Sequence, residues 1–177
     1  MFQAVNYSVE GNNKQKRAYQ AIQALNLMND LKEFTPILCG TVPIGIDVDT
    51  SDLDIIMEVD DFSAFEKIIR ELYSKQDNFQ LKHTNIRGRK VVKANFVYDG
   101  FEFELFGQSQ PVLSQHAYLH MVIEGALLKE NPKLKEKVIQ LKKRGYKTEP
   151  AFCKVLGIPG DPYENLVVFG KNKGIID

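Results

Sequence analysis

The stretch that decides the fold runs from residue 37 to residue 59 and reads ILCGTVPIGIDVDTSDLDIIMEV. Its first apolar run, Ile37–Cys39, ends at Gly40-Thr41, which predicts a short buried strand that leads into a turn. A second apolar run, Leu53–Val59, predicts another strand, and the segment between the two runs contains Pro and Gly, as loops do. The stretch therefore predicts two strands joined by one long loop.

Two aspartates stand at the start of the second strand. Asp52 and Asp54 are two residues apart, so in a strand they project from the same face. Carboxylates this close stay ionised when a cation lies between them or when water reaches both. The stretch from Glu33 to Glu66 contains nine acids and no Lys or Arg. A solvated acidic loop is one explanation; a site for Mg²⁺ or Mn²⁺, which prefer oxygen ligands, is the other.

A third carboxylate can come from the strand predicted over residues 101–106. Apolar residues alternate there with Glu102 and Glu104, so both glutamates share one face. An edge strand whose glutamates meet water would explain this pattern equally well in isolation. Combined with Asp52 and Asp54, the pattern favours metal ligation.

The remaining pattern predicts an α+β protein, a mixed β-sheet covered by helices with a C-terminal helical segment. Strands are predicted over 79–86 and 90–98, with Asp99-Gly100 as the hairpin turn into the strand at 101–106. Helical periodicity covers 13–34 and returns after Asp60 or Asp61, either of which can cap a helix.

From Pro111 onward the apolar period is helical, over 111–130, 132–144, 151–156 and 162–169. We expect residues 1–110 to form the α/β core and residues 111–177 a helical segment packed on it, as a single globular unit.

Composition limits the class of protein. The chain has 177 residues, 44% of them hydrophobic and 26% charged, which is ordinary for a globular domain with a real core. Cys39 and Cys153 stand singly in apolar surroundings and predict reduced, buried thiols. No apolar run reaches the length of a membrane span, so we expect a cytoplasmic protein without a membrane partner. The net charge is zero, which argues against binding to duplex DNA.

The motifs together resemble a known superfamily. Gly-Thr, a loop, Asp-x-Asp and a later apolar-acid-apolar strand is similar to the signature of polymerase-β-like nucleotidyltransferases. More closely, the chain resembles a bacterial family known as a domain of unknown function. That likeness rests on GTVPIGID at 40–47, SDLDII at 51–56, FELFGQ at 103–108, QHAYLHM at 115–121, and TEPAF with GDPY at 148–152 and 160–163.

The resemblance implies a nucleotidyltransferase-like fold and a mechanism. Asp52 and Asp54 would bridge two divalent ions, Mg²⁺ or Mn²⁺, that bind a nucleoside triphosphate. Glu104, with Glu102 as the alternate, would complete the first metal and help to deprotonate an acceptor hydroxyl for in-line attack at the α-phosphate. The acceptor would be a small molecule, a protein or an RNA end.

The same resemblance implies the groups that bind phosphate. Gly40 supplies a backbone turn, and the hydroxyls of Thr41 and Ser51 can hold phosphate oxygens. Of the basic residues on the neighbouring strands, Lys90 and Lys93 are the expected counter-charges. Arg87 and Arg89 are the other basic residues there.

The sequence departs from the superfamily pattern at two places. Thr41 stands where active members often carry serine, which keeps the hydroxyl. The loop from Val42 to Ile46 has no basic residue, although active members often have one there. This second departure leaves an alternative, a non-catalytic nucleotide-binding, metal-binding or regulatory module that retains the fold. A metal-dependent phosphoester hydrolase is a third reading, because bridged metals also activate water.

Other polar patterns have simpler interpretations. His116, His120 and Glu124 recur at four-residue spacing on a helix, but packing or hydrogen bonding by His120 is favoured over metal binding. The basic run at 142–144 closes a helix, where cations suit the dipole. Asp161 is expected to cap the helix that Pro162 begins. The acids of the loop at 47–58 do not form a calcium-binding hand, because Asp52 stands where that motif needs Gly.

Overall fold

The computed structural model describes residues 11–177, and these divide into two compact units. We call residues 11–39 and 52–112 the sheet unit, and residues 40–51 and 113–177 the helical unit. The helical unit is therefore built from two separate stretches of the chain, one of which is the loop between the first two strands.

The sheet unit contains one five-stranded sheet in the order β1-β2-β5-β4-β3. Its strands are β1 (Ile37–Cys39), β2 (Leu53–Glu58), β3 (Asp77–Ile86), β4 (Arg89–Tyr98) and β5 (Phe101–Gln108). The central pair, β2 and β5, is parallel, and the other three pairs are antiparallel. The expected α+β class with a mixed sheet and helices is thus confirmed.

The turn from β4 to β5 is the one predicted from Asp99-Gly100. Both residues have positive φ angles, 48° and 76°. Two successive positive φ angles are typical of the tight turn that matches the twist of the two flanking strands, and Asp-Gly adopts this turn at low cost. The turn fixes the register of β4 against β5, and therefore which side chains share a face of the sheet.

Three α-helices belong to the sheet unit: α1 (Asn13–Ala24), α2 (Leu27–Asp30) and α3 (Phe62–Tyr73), and a 3-10 helix covers Lys32–Phe34. The single helix expected over 13–34 is wrong in its extent, because Asn26 adopts a left-handed conformation (φ 52°) and separates α1 from α2. Asn tolerates this conformation better than most residues, and it ends the helical path. Asp61, one of the two expected caps, accepts hydrogen bonds from the backbone N–H groups of Ser63 and Ala64.

An aromatic stack joins α3 to the sheet. The ring of Phe96 on β4 lies parallel to Tyr73 and to Phe103, with centroid distances of 4.9 and 5.0 Å. Gly107 on β5 permits the close approach of α3, because a Cβ atom there would lie 2.8 Å from the Phe65 ring. The apolar face of the sheet is therefore occupied by α3, and the opposite face carries the acidic residues described below.

The helical unit contains four helices: α4 (His116–Glu130), α5 (Lys133–Lys143), α6 (Thr148–Leu156) and α7 (Pro162–Asn172). Asp161 accepts hydrogen bonds from the N–H groups of Tyr163 and Glu164, which confirms it as the cap of α7. Ile46, from the loop, is fully buried in the apolar core of these helices. Within residues 11–177, no helix is long and apolar enough to cross a membrane.

Candidate metal and nucleotide site

The carboxylates predicted to bind metal come from the two central strands of the sheet. Asp54 on β2 lies directly opposite Glu104 on β5. The register pairs immediately before and after this one have their side chains on the other face of the sheet. Neighbouring strands lie about 4.8 Å apart, so opposite side chains on one face are direct neighbours. Asp52 precedes β2 by one residue, and both aspartates are partly exposed. The register thus brings the second aspartate and Glu104 together.

The two candidate glutamates differ in position and in exposure. Glu102 is opposite Val97 of β4 and is exposed to solvent. Glu104 is opposite both Asp54 and Asn95, since β5 lies between β2 and β4. Of the two glutamates, Glu104 is therefore the one that lies beside Asp54, where a third metal ligand would be needed.

Lys93 contacts the same glutamate. Its Nζ atom lies 2.6 Å from Oε2 of Glu104, and each of the two side chains is 21% exposed. Lys90 is three residues away on the same strand, so alternation directs it to the opposite face. The structure therefore brings Lys93, and not Lys90, to the carboxylates.

The pocket that Lys90 does line is elsewhere in the sheet unit. It has a volume of about 390 Å³ and is lined by Phe62, His83, Thr84, Lys90, Val91 and Val92. The His83 ring bonds to Glu66 of α3 at 2.8 Å. None of the three predicted metal ligands lines this pocket.

Cys39 is the register partner of Asp54 on the other side of β2. Burial, and to a smaller extent the negative charge of Asp54, raise the pKa of the Cys39 thiol far above its ordinary range. The thiol therefore stays protonated at neutral pH and is a poor metal ligand. Cys39 and Cys153 are both free and buried, as expected from the sequence.

The loop that carries the predicted phosphate-binding residues is folded on itself. Thr41 Oγ1 donates to Ser51 Oγ at 3.1 Å, and the N–H of Val48 donates to the same Ser51 oxygen. Gly40 has a φ angle of 80°, which favours glycine, at the first position after β1. The loop thus brings together the two hydroxyls, which are ten residues apart in sequence and lie near its two ends.

A lysine from α5 supports this loop. Lys142 Nζ donates a hydrogen bond of 2.9 Å to the backbone carbonyl of Ile46. Sequence reasoning explained the basic run at 142–144 by the helix dipole alone and missed this contact. The loop from Val42 to Ile46 has no basic residue of its own, and this was the signal that could have pointed to the contact. Any basic residue that reaches the loop has to come from elsewhere in the chain.

A buried polar cluster lies next to Lys142 in the helical unit. His120 Nε2 bonds to the Tyr163 carbonyl at 2.8 Å, and Nδ1 lies 3.2 Å from Glu149. Each ring nitrogen of His120 therefore has a polar partner of its own. The expected hydrogen-bonding role of His120 is confirmed.

The pKa values of two glutamates in this cluster are shifted in opposite directions. Burial alone would raise the pKa of Glu149, but the hydrogen bond and charge of His120 outweigh it, and the pKa is lowered. For Glu124, burial first and then the Glu149 charge raise the pKa well above its ordinary range, against the opposing effect of Lys142. Glu124 Oε1 is buried and has no hydrogen-bond partner within the part of the chain that the structure describes.

The residues on the acidic face fit a hard divalent ion by chemistry. Asp52, Asp54 and Glu104 offer only carboxylate oxygens, the ligands that Mg²⁺ and Mn²⁺ prefer. Among residues 11–177, no group of three His, Cys, Asp or Glu side chains is already gathered as a ligand cluster. Glu104 instead faces Lys93, so metal ligation by Glu104 requires this ion pair to open or to share the carboxylate.

Comparison with known families gave one match over most of the chain. A family model described as a domain of unknown function (DUF4269) matches residues 20–169. No curated protein sequence matches significantly.

Several solved structures have a similar fold. The Cid1 poly(U) polymerase with MgGTP bound is 17% identical, with a TM-score of 0.54 over 74% of this chain and 42% of that one. A cytoplasmic RNA terminal U-transferase is 19% identical, with a TM-score of 0.51 over 74% of this chain and 39% of that one. The GLD-2/RNP-8 complex is 11% identical, with a TM-score of 0.54 over 76% of this chain and 54% of that one.

These likenesses confirm the nucleotidyltransferase-like fold. The chain spans only about two fifths of the length of the first two structures and about half of the third. At these identities the fold is what is shared, and the activities of those proteins belong to them.

Proposed function

The chain belongs to the DUF4269 family, and we propose that it is a divalent-metal-dependent nucleotidyltransferase. It would transfer the nucleoside monophosphate of an NTP to a hydroxyl of an acceptor: a small molecule, a protein or an RNA end. The observation that carries the proposal is the register of β2 against β5, which sets Asp54 directly opposite Glu104 in a fold shared with nucleotidyltransferases.

Three carboxylates would hold the ion. Asp52 and Asp54 share a face because they are two residues apart, and Glu104 is the neighbour of Asp54 on β5. The ion, Mg²⁺ or Mn²⁺, would supply positive charge to the transferring phosphoryl group. The binding of MgGTP to the Cid1 poly(U) polymerase supports an NTP with a divalent ion as the ligand.

The chain's own donors would bind the phosphates. The hydroxyls of Thr41 and Ser51 and the backbone N–H of Gly40 offer neutral hydrogen bonds to phosphate oxygens. Lys93, which contacts Glu104, would provide the counter-charge, whereas Lys90 lies on the other face of the strand and is not part of this proposal. In the sequence, Gly40 directly follows β1, whose Cys39 is the register partner of Asp54, and Ser51 directly precedes Asp52.

Nucleotide binding tests the proposal first. Changing Asp52 and Asp54 together to Asn should abolish Mg²⁺-dependent NTP binding in calorimetry, because the ion loses two anionic ligands. Asp49→Asn is the matched control, since it removes a loop carboxylate outside the proposed ligand set. A wild-type protein that binds no NTP at millimolar Mg²⁺ would contradict the proposal.

A non-catalytic binding module is the second candidate, and one observation favours it. Residues 42–46 contain no base, and the base that reaches this loop, Lys142, is engaged with the Ile46 carbonyl. Incubation with α-³²P-labelled NTPs, Mn²⁺ and separated small-molecule, protein and RNA fractions distinguishes the two. Label transferred to any fraction by the wild type and not by the Asp52/Asp54 variant supports turnover; binding without transfer supports the module.

A further inference from the structure

The ion pair between Lys93 and Glu104 lies at the centre of the acidic face. Lys93 is opposite Phe106 and Glu104 is opposite Asn95, so the pair crosses diagonally from β4 to β5. The 2.6 Å separation and the 21% exposure of both side chains distinguish it from the loose pairs of a protein surface. A largely shielded pair interacts more strongly than an exposed one, because less water screens it.

A second lysine lies close to this pair. Lys82 on β3 is the register partner of Lys93, so two positive side chains lie opposite each other on adjacent strands. Like charges in directly opposite positions destabilise a sheet. Glu104 offsets this repulsion by binding Lys93, while Lys82 is exposed to solvent.

The ammonium group of Lys93 and a divalent ion would both bind the carboxylate of Glu104. An oxygen that accepts a hydrogen bond from Lys93 is less available to a metal, and an ion next to Glu104 would be repelled by the ammonium group. The two cations therefore compete for one carboxylate. Once displaced, the Lys93 side chain would be left on the face to which the NTP brings its phosphates.

We propose that Lys93 competes with the metal for Glu104. Lys93 binds the Glu104 carboxylate until a divalent ion and an anionic nucleotide bind together. This inference rests on the proposed function and adds a regulation to it. The ion alone must displace Lys93 without compensation, so it binds weakly. The ion with an NTP offers Lys93 a new anionic partner, so each ligand strengthens binding of the other.

Mn²⁺ binding measured by electron paramagnetic resonance tests the inference without relying on turnover. Lys93→Met should bind Mn²⁺ about tenfold more tightly than the wild type without nucleotide, since a nearby like charge is removed from a partly buried site. A non-hydrolysable NTP should improve Mn²⁺ affinity less in Lys93→Met than in the wild type. Lys82→Met, which removes the same charge from the opposite position on β3, should change the affinity much less.

Two further variants separate the possible failures. Lys93→Arg keeps the positive charge and the ion pair with Glu104, so it should show no gain in Mn²⁺ affinity. This variant would remain informative if Lys93→Met did not fold. If Asp54→Asn abolishes Mn²⁺ binding but Lys93→Met binds no more tightly than the wild type, the competition is wrong and the proposed function stands. If neither the wild type nor Lys93→Met binds Mn²⁺ with or without NTP, the proposed function and the inference both fail.

Discussion

Asp54 and Glu104 occupy directly opposite positions on two parallel strands at the centre of the sheet. The two residues are separated in sequence by α3, β3 and β4, and only the pairing of β2 with β5 makes them neighbours. The backbones of the two residues cannot separate without breaking that pairing, because strand backbones are held by their hydrogen bonds. The relationship makes the identity of the third ligand testable.

Glu104→Gln should weaken Mn²⁺ binding about tenfold or more, which corresponds to a loss of about 1.4 kcal/mol. Glu102→Gln is the matched control, because it makes the same change two residues away, opposite Val97. Calorimetric titration with Mn²⁺ and a non-hydrolysable NTP measures both. A larger loss for Glu102→Gln would assign the third ligand to that residue.

Thr41→Val should lower NTP affinity and also destabilise the loop by about 1 kcal/mol, the usual net contribution of one hydrogen bond. The change removes the hydroxyl that donates to Ser51 Oγ. Thr41→Ser restores the donor and should behave like the wild type in both measurements. Equal affinity for the valine and serine variants would show that this hydroxyl does not contact the phosphates.

Lys142→Met should reduce the free energy of unfolding by about 1–3 kcal/mol, because the Ile46 carbonyl loses its donor. Lys143→Met is the control on the same helix; its side chain is exposed, and its effect should stay within about 0.5 kcal/mol. Urea denaturation gives both values. Hydrogen exchange at the Ile46 amide should accelerate in the Lys142 variant only. Equal exchange rates in the two variants would show that Lys142 does not stabilise the loop.

Glu124→Gln should change how stability depends on pH. Glu124 has a raised pKa, so the folded protein keeps a proton that the unfolded chain releases above about pH 4.3. Glu124 therefore makes the wild type less stable as pH rises, until the pH reaches the folded-state pKa. Gln cannot titrate, so the Tm of the variant relative to the wild type should increase as the pH rises above about 4.5.

Circular dichroism melts across that range measure the difference. Glu149 has a lowered pKa and contributes stability that is lost only as pH falls below this range, so it leaves the comparison unaffected. A Tm difference that stays constant from about pH 4.5 to about pH 8 would show that Glu124 is ionised in the folded protein.

Tyr73→Phe should raise the free energy of unfolding by about 1 kcal/mol. The Tyr73 hydroxyl is buried without a hydrogen-bond partner among residues 11–177, and such a group costs free energy that phenylalanine avoids. The ring itself stays stacked on Phe96. Tyr19→Phe, at a partly exposed position on α1, is the control and should change stability little. A loss of stability in Tyr73→Phe would reveal a partner for the hydroxyl.

Strand and turn patterns carried most of the fold prediction. The alternation of Glu102 and Glu104 with apolar residues is a local signal, and it correctly placed both on one face of a strand. Asp99-Gly100 predicted its hairpin for the same reason, since the turn depends on the backbone preferences of two residues. The mixed sheet with helices followed from the order of such local elements, and the nucleotidyltransferase-like fold followed from the resemblance of the motifs to that superfamily.

Contacts between distant parts of the chain were beyond prediction from local pattern. Nothing within the strand at 89–98 indicates that Lys93, and not Lys90, reaches Glu104; the register of β4 against β5 decides it. The contact of Lys142 with Ile46 spans 96 positions in the sequence. The helical periodicity of the sequence also did not predict the break at Asn26, because a single left-handed residue does not disturb the spacing of the apolar residues around it.

The interleaved build of the helical unit has a consequence for the order in which the protein is made. Residues 40–51 leave the ribosome before the helices that bury Ile46 and before the lysine that donates to its carbonyl. Chains fold largely from the N-terminus during synthesis, so this apolar loop must wait for its partners. A nascent chain stalled near residue 112 would expose Ile46, and such a chain would be a natural client for a chaperone.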